Sequence, residues 1–319
     1  MTAPELQVQL THIRKVSDEL GVGPCVSVLT CDRRDKWAEN RDWLRSVSID
    51  NVKTLELIES SMFAFVLDDS TPQDFQQLCW EGLCGDTTNR WADKSVTAIM
   101  TRNGCGTVNN DHTPYDAMAS VVFCHYQIML LEEIGGKWHG KKEVRNFPLP
   151  TLVHFDLDSR MVRAISEAKK TSSDYVNNVD VVYSTVHDYG KDFMKAQKLH
   201  PDAYVQMALQ FAYYRLHKKF APTYETATTR QFHHGRTETM RSCTMEAVDF
   251  VLKMLDPKAS VAEKRHKLIH AVDTHRSLVK MCEDNEGVDR HLFGLYVTAL
   301  ENGMEIPELF LDPAFTKRL

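Results

Sequence analysis

Residues 90–118 read RWADKSVTAIMTRNGCGTVNNDHTPYDAM, and the class of the fold turns on this stretch. From Lys94 the residues alternate, meet the pair Asn103-Gly104, and alternate again to Asp111. Asn-Gly between two alternating runs predicts a β-hairpin, because both residues tolerate the positive φ that a tight turn demands. Directly after it, the apolar text from about 115 to 134 predicts a helix. A hairpin that feeds a helix within so few residues belongs to a mixed α/β fold.

Working outward, residues 3–20 and 35–48 read as amphipathic helices. Between them stand the GVGP turn and the short apolar run CVSVLT. Residues 51–68 carry apolar positions at helical spacing and then the strand-like SMFAFVL. Downstream, the polar EEIGGKWHGKKEVRN leads to FPLP at 147–150, the predicted hinge, since neither proline fits inside regular structure. Beyond it residues 160–179, 202–219, 238–255 and 259–283 show 3.6-residue spacing, with Pro201-Asp202 as a helix start. At 319 residues the chain is long enough for two domains. The expectation is residues 1–154 followed by a helix-rich 155–319.

Composition narrows the function classes. The 43% hydrophobic and 26% charged content supports a packed core. The net charge of −6 comes from interspersed residues, with no basic arm for nucleic acid or a membrane surface. The eight cysteines form no C-x-x-C pair and no zinc spacing. They read as reduced thiols in a reducing compartment. MTAPELQVQL is unlike a signal peptide, and no apolar run reaches the ~20 residues of a membrane-spanning helix. The C-terminal Lys-Arg-Leu weakly resembles a peroxisomal address, with Lys317 where a small residue is expected.

His112 ends an extended run just before the predicted helix, and Asp116 follows four residues on. If a helical turn begins there, both side chains share a face. A carboxylate beside an imidazole orients it and favours its protonated form, as a general base requires. The same spacing also suits a structural histidine at a helix start. His233-His234 make a poor metal pair, because neighbours on a helix point apart and no H-E-x-x-H is present.

The RWADK element at 90–94, followed at its spacing by DHTPYDAM at 111–118, resembles the second signature of the carnitine/choline acyltransferase family. The flanking text is closest to the peroxisomal, octanoyltransferase-like branch. The resemblance runs from about residue 2 to 316 over several motifs in order. It implies a carnitine O-acyltransferase of medium-chain type, with two acyltransferase-type α/β modules. Residues 1–154 would be the catalytic-histidine module and 155–319 the module for coenzyme A and carnitine. They would be hinged near 147–158, with His112 facing the cleft.

By position, His112 is then the general base, Asp116 supports it, and Arg90 pairs with Asp116. In GKDFMKAQKLHPD, Lys191 and Lys195 would meet the 3′-phosphate of coenzyme A, and Asp202 its adenine-pantetheine portion, with Arg276 a further candidate. Tyr224, Thr226, Thr237 and Arg290 would hold the carnitine carboxylate, and an arginine at 290 argues for carnitine over choline. The partners implied are acyl-CoA and carnitine as substrates, with no cofactor, no metal and no nucleic acid. A monomer in the peroxisome, or otherwise in the cytoplasm, is expected. The proline-rich N-terminal signature and the Ser-Thr-Ser motif of the family have no counterpart here, so the resemblance implies two incomplete modules. A catalytically impaired remnant that binds coenzyme A or a protein through Lys191–Asp202 is the second reading. A Ser-His-Asp hydrolase is remote, because no G-x-S-x-G elbow exists.

Overall fold

The computed structural model describes residues 1–316; the C-terminal Lys-Arg-Leu lies outside the described residues. The chain divides into a unit of Met1–Ser184 and a unit of Thr185–Leu319.

In the first unit, α1 (Ala3–Leu20) opens with Thr2 and Glu5 capping each other's backbone N–H groups. A 3-10 turn (Val26–Cys31), α2 (Arg34–Val47) and α3 (Ile49–Ser60) follow. Val28, Leu29, Leu44 and Leu55 are sealed from solvent. Helix α6 (Ser159–Val176) joins them by burying Met161, Ile165 and Ala168 in the same cluster. Buried Asn51 bridges the seam: its amide donates to the carbonyls of Leu44 and Asp156 and accepts from the Asp156 N–H. The expected boundary at 154/155, with its hinge at 147–158, therefore falls inside this unit. The prolines do lie in a stretch without helix or strand, but the core continues across it.

The predicted hairpin forms. Strand β1 (Ala64–Leu67) is followed by α4 (Phe75–Cys84), β2 (Thr97–Met100) and β3 (Gly106–Asn109). The sheet order is β1-β2-β3, with β1 parallel and β3 antiparallel to β2. A parallel pair needs a crossover, and α4 lies within it. At the turn, Thr101 and Cys105 close the loop and Gly104 takes φ +83°. Helix α4 lies on β3 through Gly82, where an added Cβ would sit 2.5 Å from the Thr107 hydroxyl. Helix α5 (Ala117–Glu133) comes after β3 and contains no buried residue.

The second unit contains α7 (Lys191–Ala196), α8 (Pro201–His217), the hairpin β4 (Tyr224–Thr228) and β5 (Thr237–Arg241), α9 (Met245–Leu255), α10 (Val261–Glu283) and α11 (Asp289–Glu301). Ala203 and Met207 of α8 meet Phe250 and Val251 of α9 and Ala271 and Val272 of α10 in one core. The helix expected over 238–255 is instead β5 followed by α9. Glu238 and Met240 are buried while their neighbours are not, a period of two. Thr244 then accepts from the Ala247 N–H and starts a separate helix. No described helix is long and apolar enough to cross a membrane, and all eight cysteines are free thiols.

Candidate active site

In the RWADK element each residue has a local partner. Arg90 is buried and donates from Nη1 to Asp68 Oδ2 at 2.7 Å. The resemblance implied Asp116 as its partner; its ion pair is with Asp68, a residue the sequence reading did not single out. Burial opposes ionisation of Asp68, but the Ser70 N–H and the Arg90 guanidinium together hold its carboxyl below the usual range. Trp91 packs against Trp37 and Phe155. Asp93 accepts from Trp37 and Arg34. Buried Lys94 donates to the carbonyls of Glu59 and Ser61. A cavity of about 350 Å³ opens beside Arg90, Trp91 and Asn109.

His112 sits in an irregular turn ahead of α5, not on its first turn. Asp111 accepts from the Thr113 N–H and hydroxyl at 3.0 and 2.8 Å, folding the chain back on itself. The Tyr115 hydroxyl anchors the far side on the Ser95 carbonyl at 2.7 Å. Asp116 is the N-cap of α5, yet its side chain makes no capping bond. It lies instead 3.6 Å from His112 Nδ1, a charge contact longer than a hydrogen bond. The imidazole is 75% exposed and the carboxylate 27%. Burial pushes the thiols of Cys31, Cys84, Cys243 and Cys282 up, which leaves them poor nucleophiles.

In the second unit, Lys191 and Lys195 are exposed on the single-turn α7. That turn is pinned by aromatic contacts: Tyr189 packs on Phe193 and Tyr204. The Tyr189 and Tyr204 hydroxyls share a 3.0 Å hydrogen bond. That bond, with burial, pushes Tyr204 up to about 12. Asp202 is exposed in the first turn of α8, where the helix dipole favours a carboxylate. Arg276 is exposed on α10, 3.9 Å from Asp273.

The β4–β5 hairpin sorts its residues by face. Tyr224 and Thr226 are exposed, opposite Arg241 and Thr239, and Thr237 stands opposite Thr228. The loop closes only because residue 235 is glycine: a Cβ there would lie 1.9 Å from the Thr229 carbonyl oxygen. On the inner side, buried Glu238 accepts from the Thr239 N–H at 2.6 Å and the Arg290 N–H at 3.2 Å. The residue after Thr237 thus caps the start of α11, and α11 carries Arg290. Gly287 leaves room for it, since a Cβ would come within 2.4 Å of Glu238 Cγ. Arg241 of β5 also pairs with Asp289 of α11 and lies 5.9 Å from the Tyr224 ring centre. Tyr224, Thr226, Thr237 and Arg290 are therefore presented by one hairpin and the helix locked to it.

Sequence reasoning missed Asp68, Glu225, Glu238 and His275. Two of them carried a signal, as the carboxylates of Tyr-Glu-Thr and Thr-Glu-Thr sit at inward positions of alternating strands. His275 falls on the buried stripe of α10 with Ala271, Val272 and Cys282. Asp202, Glu225 and His275 form the group of potential metal ligands found among the described residues, their ligand atoms within 4.8 Å of one another. His233 and His234 do not diverge on a helix as expected. They lie in the β4–β5 connection with ring centres 3.8 Å apart.

Comparison with known proteins places the sequence in a family. The family model described as Choline/Carnitine o-acyltransferase matches residues 1–318. The peroxisomal carnitine O-octanoyltransferase of Bos taurus is 42% identical over 99% of this chain and 52% of its own length. The carnitine O-acetyltransferase of Homo sapiens is 32% identical over 99% of this chain and 51% of its own. The choline O-acetyltransferase of Gallus gallus is 32% identical over 98% and 50%. The chain spans about half the length of the curated relatives it matches. With a matching model over nearly every residue, the chain belongs to the choline/carnitine O-acyltransferase family.

Proposed function

We propose that this chain carries the machinery of a carnitine O-acyltransferase of octanoyltransferase-like type, acting in the peroxisome. It moves a medium-chain acyl group between coenzyme A and carnitine. The contact between His112 Nδ1 and Asp116 is the observation that carries the reading. With Nδ1 turned to the carboxylate, Nε2 is the ring atom that takes the carnitine hydroxyl proton. The hydroxyl oxygen then attacks the thioester carbonyl, the C–S bond breaks, and the proton passes to the departing thiolate. In the reverse direction His112 deprotonates the thiol. Arg90 enters as a positioning residue, because its pair with Asp68 fixes the element packed before the β2–β3 hairpin. No acyl-enzyme is required.

For the substrates, Lys191 and Lys195 suit the 3′-phosphate as exposed point charges, with Asp202 and Arg276 near the rest of coenzyme A. The shared outer face of Tyr224, Thr226 and Thr237, and the anchoring of α11 by Glu238, support a carboxylate site that includes Arg290. Coenzyme A serves as a substrate, so the reading needs no cofactor, and it describes a monomer. The test follows thiol release from octanoyl-CoA with and without L-carnitine, for the chain and its His112→Ala variant. Carnitine-dependent release that disappears in the variant is expected. Release that ignores carnitine, or that survives the substitution, would refute the mechanism.

A further inference from the structure

His275 is the one buried histidine of the α10 stripe, and both of its sides are informative. Its Nε2 lies 3.0 Å from each oxygen of Glu225. A carboxylate accepts, so Nε2–H is the donor. The Nδ1 atom is buried with no hydrogen-bond partner, a cost that an apolar side chain of similar size would not incur. Packing alone therefore does not account for an imidazole at this position, and the bond to Glu225 does. Glu225 stands between Tyr224 and Thr226, facing inward where they face outward. Asp202, from the first turn of α8, brings a second carboxylate into the same group.

Three elements thus converge on one N–H group: the start of α8, strand β4 and helix α10. A cation at this point would need a lone pair from Nε2, but that atom presents a proton to both Glu225 oxygens. The two carboxylates repel each other, and the imidazole restrains only Glu225. A ligand donor that engages Asp202 relieves that repulsion and steadies Glu225, and with it the strand. We propose that His275 is a positioning residue that couples the two substrate sites, holding Glu225, on the strand that presents Tyr224 and Thr226, beside Asp202 at the start of α8. Coenzyme A and carnitine then tighten each other's binding, by the same factor in both directions. The inference rests on the substrate assignment above.

Calorimetry on the 319-residue chain tests it, with coenzyme A titrated alone and again in saturating L-carnitine. Carnitine should tighten coenzyme A by about fivefold or more, and the reverse titration should return the same ratio. His275→Leu should bring the ratio to one while coenzyme A alone still binds. His275→Gln, which keeps one N–H toward Glu225, should restore part of the ratio. Should the buried leucine prevent folding, Glu225→Gln decides the matter from the more accessible side, because a neutral amide removes the charge on which Asp202 acts. A ratio of one in the unaltered chain, or an unchanged ratio in the variants, overturns the coupling alone. Absence of binding by either ligand overturns the substrate assignment and the coupling with it. Zinc that raises the thermal midpoint of the chain, but not of His275→Gln, assigns the trio to a metal and also overturns the coupling.

Discussion

The two units each hold a histidine against a carboxylate, and the pairs are built in opposite ways. His112 and Asp116 are four residues apart, largely exposed at the imidazole, with Nδ1 and Oδ1 3.6 Å apart. His275 and Glu225 are fifty residues apart, 2% and 16% exposed, and 3.0 Å apart at both oxygens. The first pair is open to solvent at the imidazole, which suits the proton acceptor proposed there. The second is tight and enclosed, and holds other groups still. A histidine–carboxylate contact therefore does not define a role. Access to solvent, 75% at the His112 ring against 2% at His275, is what distinguishes the proposed base from the proposed positioning residue.

The largest effect is expected at His112 and Asp116. His112→Ala should cut carnitine-dependent transfer by ~10²–10⁴-fold, the usual worth of a general base. Asp116→Asn should cost less, roughly tenfold, because it orients the base without taking the proton. Steady-state rates from octanoyl-CoA check both. If the two substitutions cost the same, the exposed pair acts as a rigid unit and the contrast with His275 fails.

Next in size is the buried Arg90–Asp68 pair of the first unit. Arg90→Met or Asp68→Leu alone should destabilise it by about 3–5 kcal/mol, since each strands a buried charge, and the double substitution should recover much of the loss. Urea unfolding measures this. The Asp68 carboxyl is held below its usual value. Its contribution is therefore fully present above the unfolded value near 4 and fades as pH falls through the lower folded one. A double variant should lack that acid limb.

A smaller effect sharpens the positioning side. Glu238→Ala should weaken L-carnitine binding by about tenfold, as expected when hydrogen bonds to a charged group are lost. Gly287→Ala should do part of the same by displacing Glu238 while leaving its charge in place. Calorimetry with L-carnitine is the check. Equal effects on coenzyme A would mean that Glu238 only maintains the fold.

The smallest effect belongs to the lysines. Coenzyme A should bind more tightly than dephospho-coenzyme A. Replacing Lys191 and Lys195 should erase the gap, at about 1 kcal/mol or less for each exposed charge. The gap should narrow as salt rises. Equal affinities in the unaltered chain would remove the lysines from the site.

What was legible in the sequence follows from distance along the chain. The β2–β3 hairpin, α1, α2, α5, α6, α8 and α10 were readable because periodicity and turn chemistry are local. Strand β5 was misread because Thr237–Arg241 adjoins a true helix, and helical spacing in α9 was extended backwards over an alternation of two. The unit boundary was misplaced because prolines advertise a break in regular structure, and Asn51 and Met161, which carry the core across it, do not. For the candidate site, the sequence offered the motif residues but not the partners the structure gives them. Arg90 meets Asp68 across 22 residues and Arg290 meets Glu238 across 52. No local pattern encodes either pairing.

Helix α5 sets how the chain behaves in a test tube. Its 17 residues make a rod of about 25 Å at 1.5 Å per residue. Val121, Phe123, Tyr126, Ile128 and Leu131 all stand exposed along it. Exposed apolar surface of that extent makes molecules adhere to one another. In dilute buffer the chain should light up the dye anilinonaphthalene sulfonate and sediment faster as it is concentrated. A charged residue at Val121 or Ile128 should suppress both, leaving a preparation fit for every titration described above.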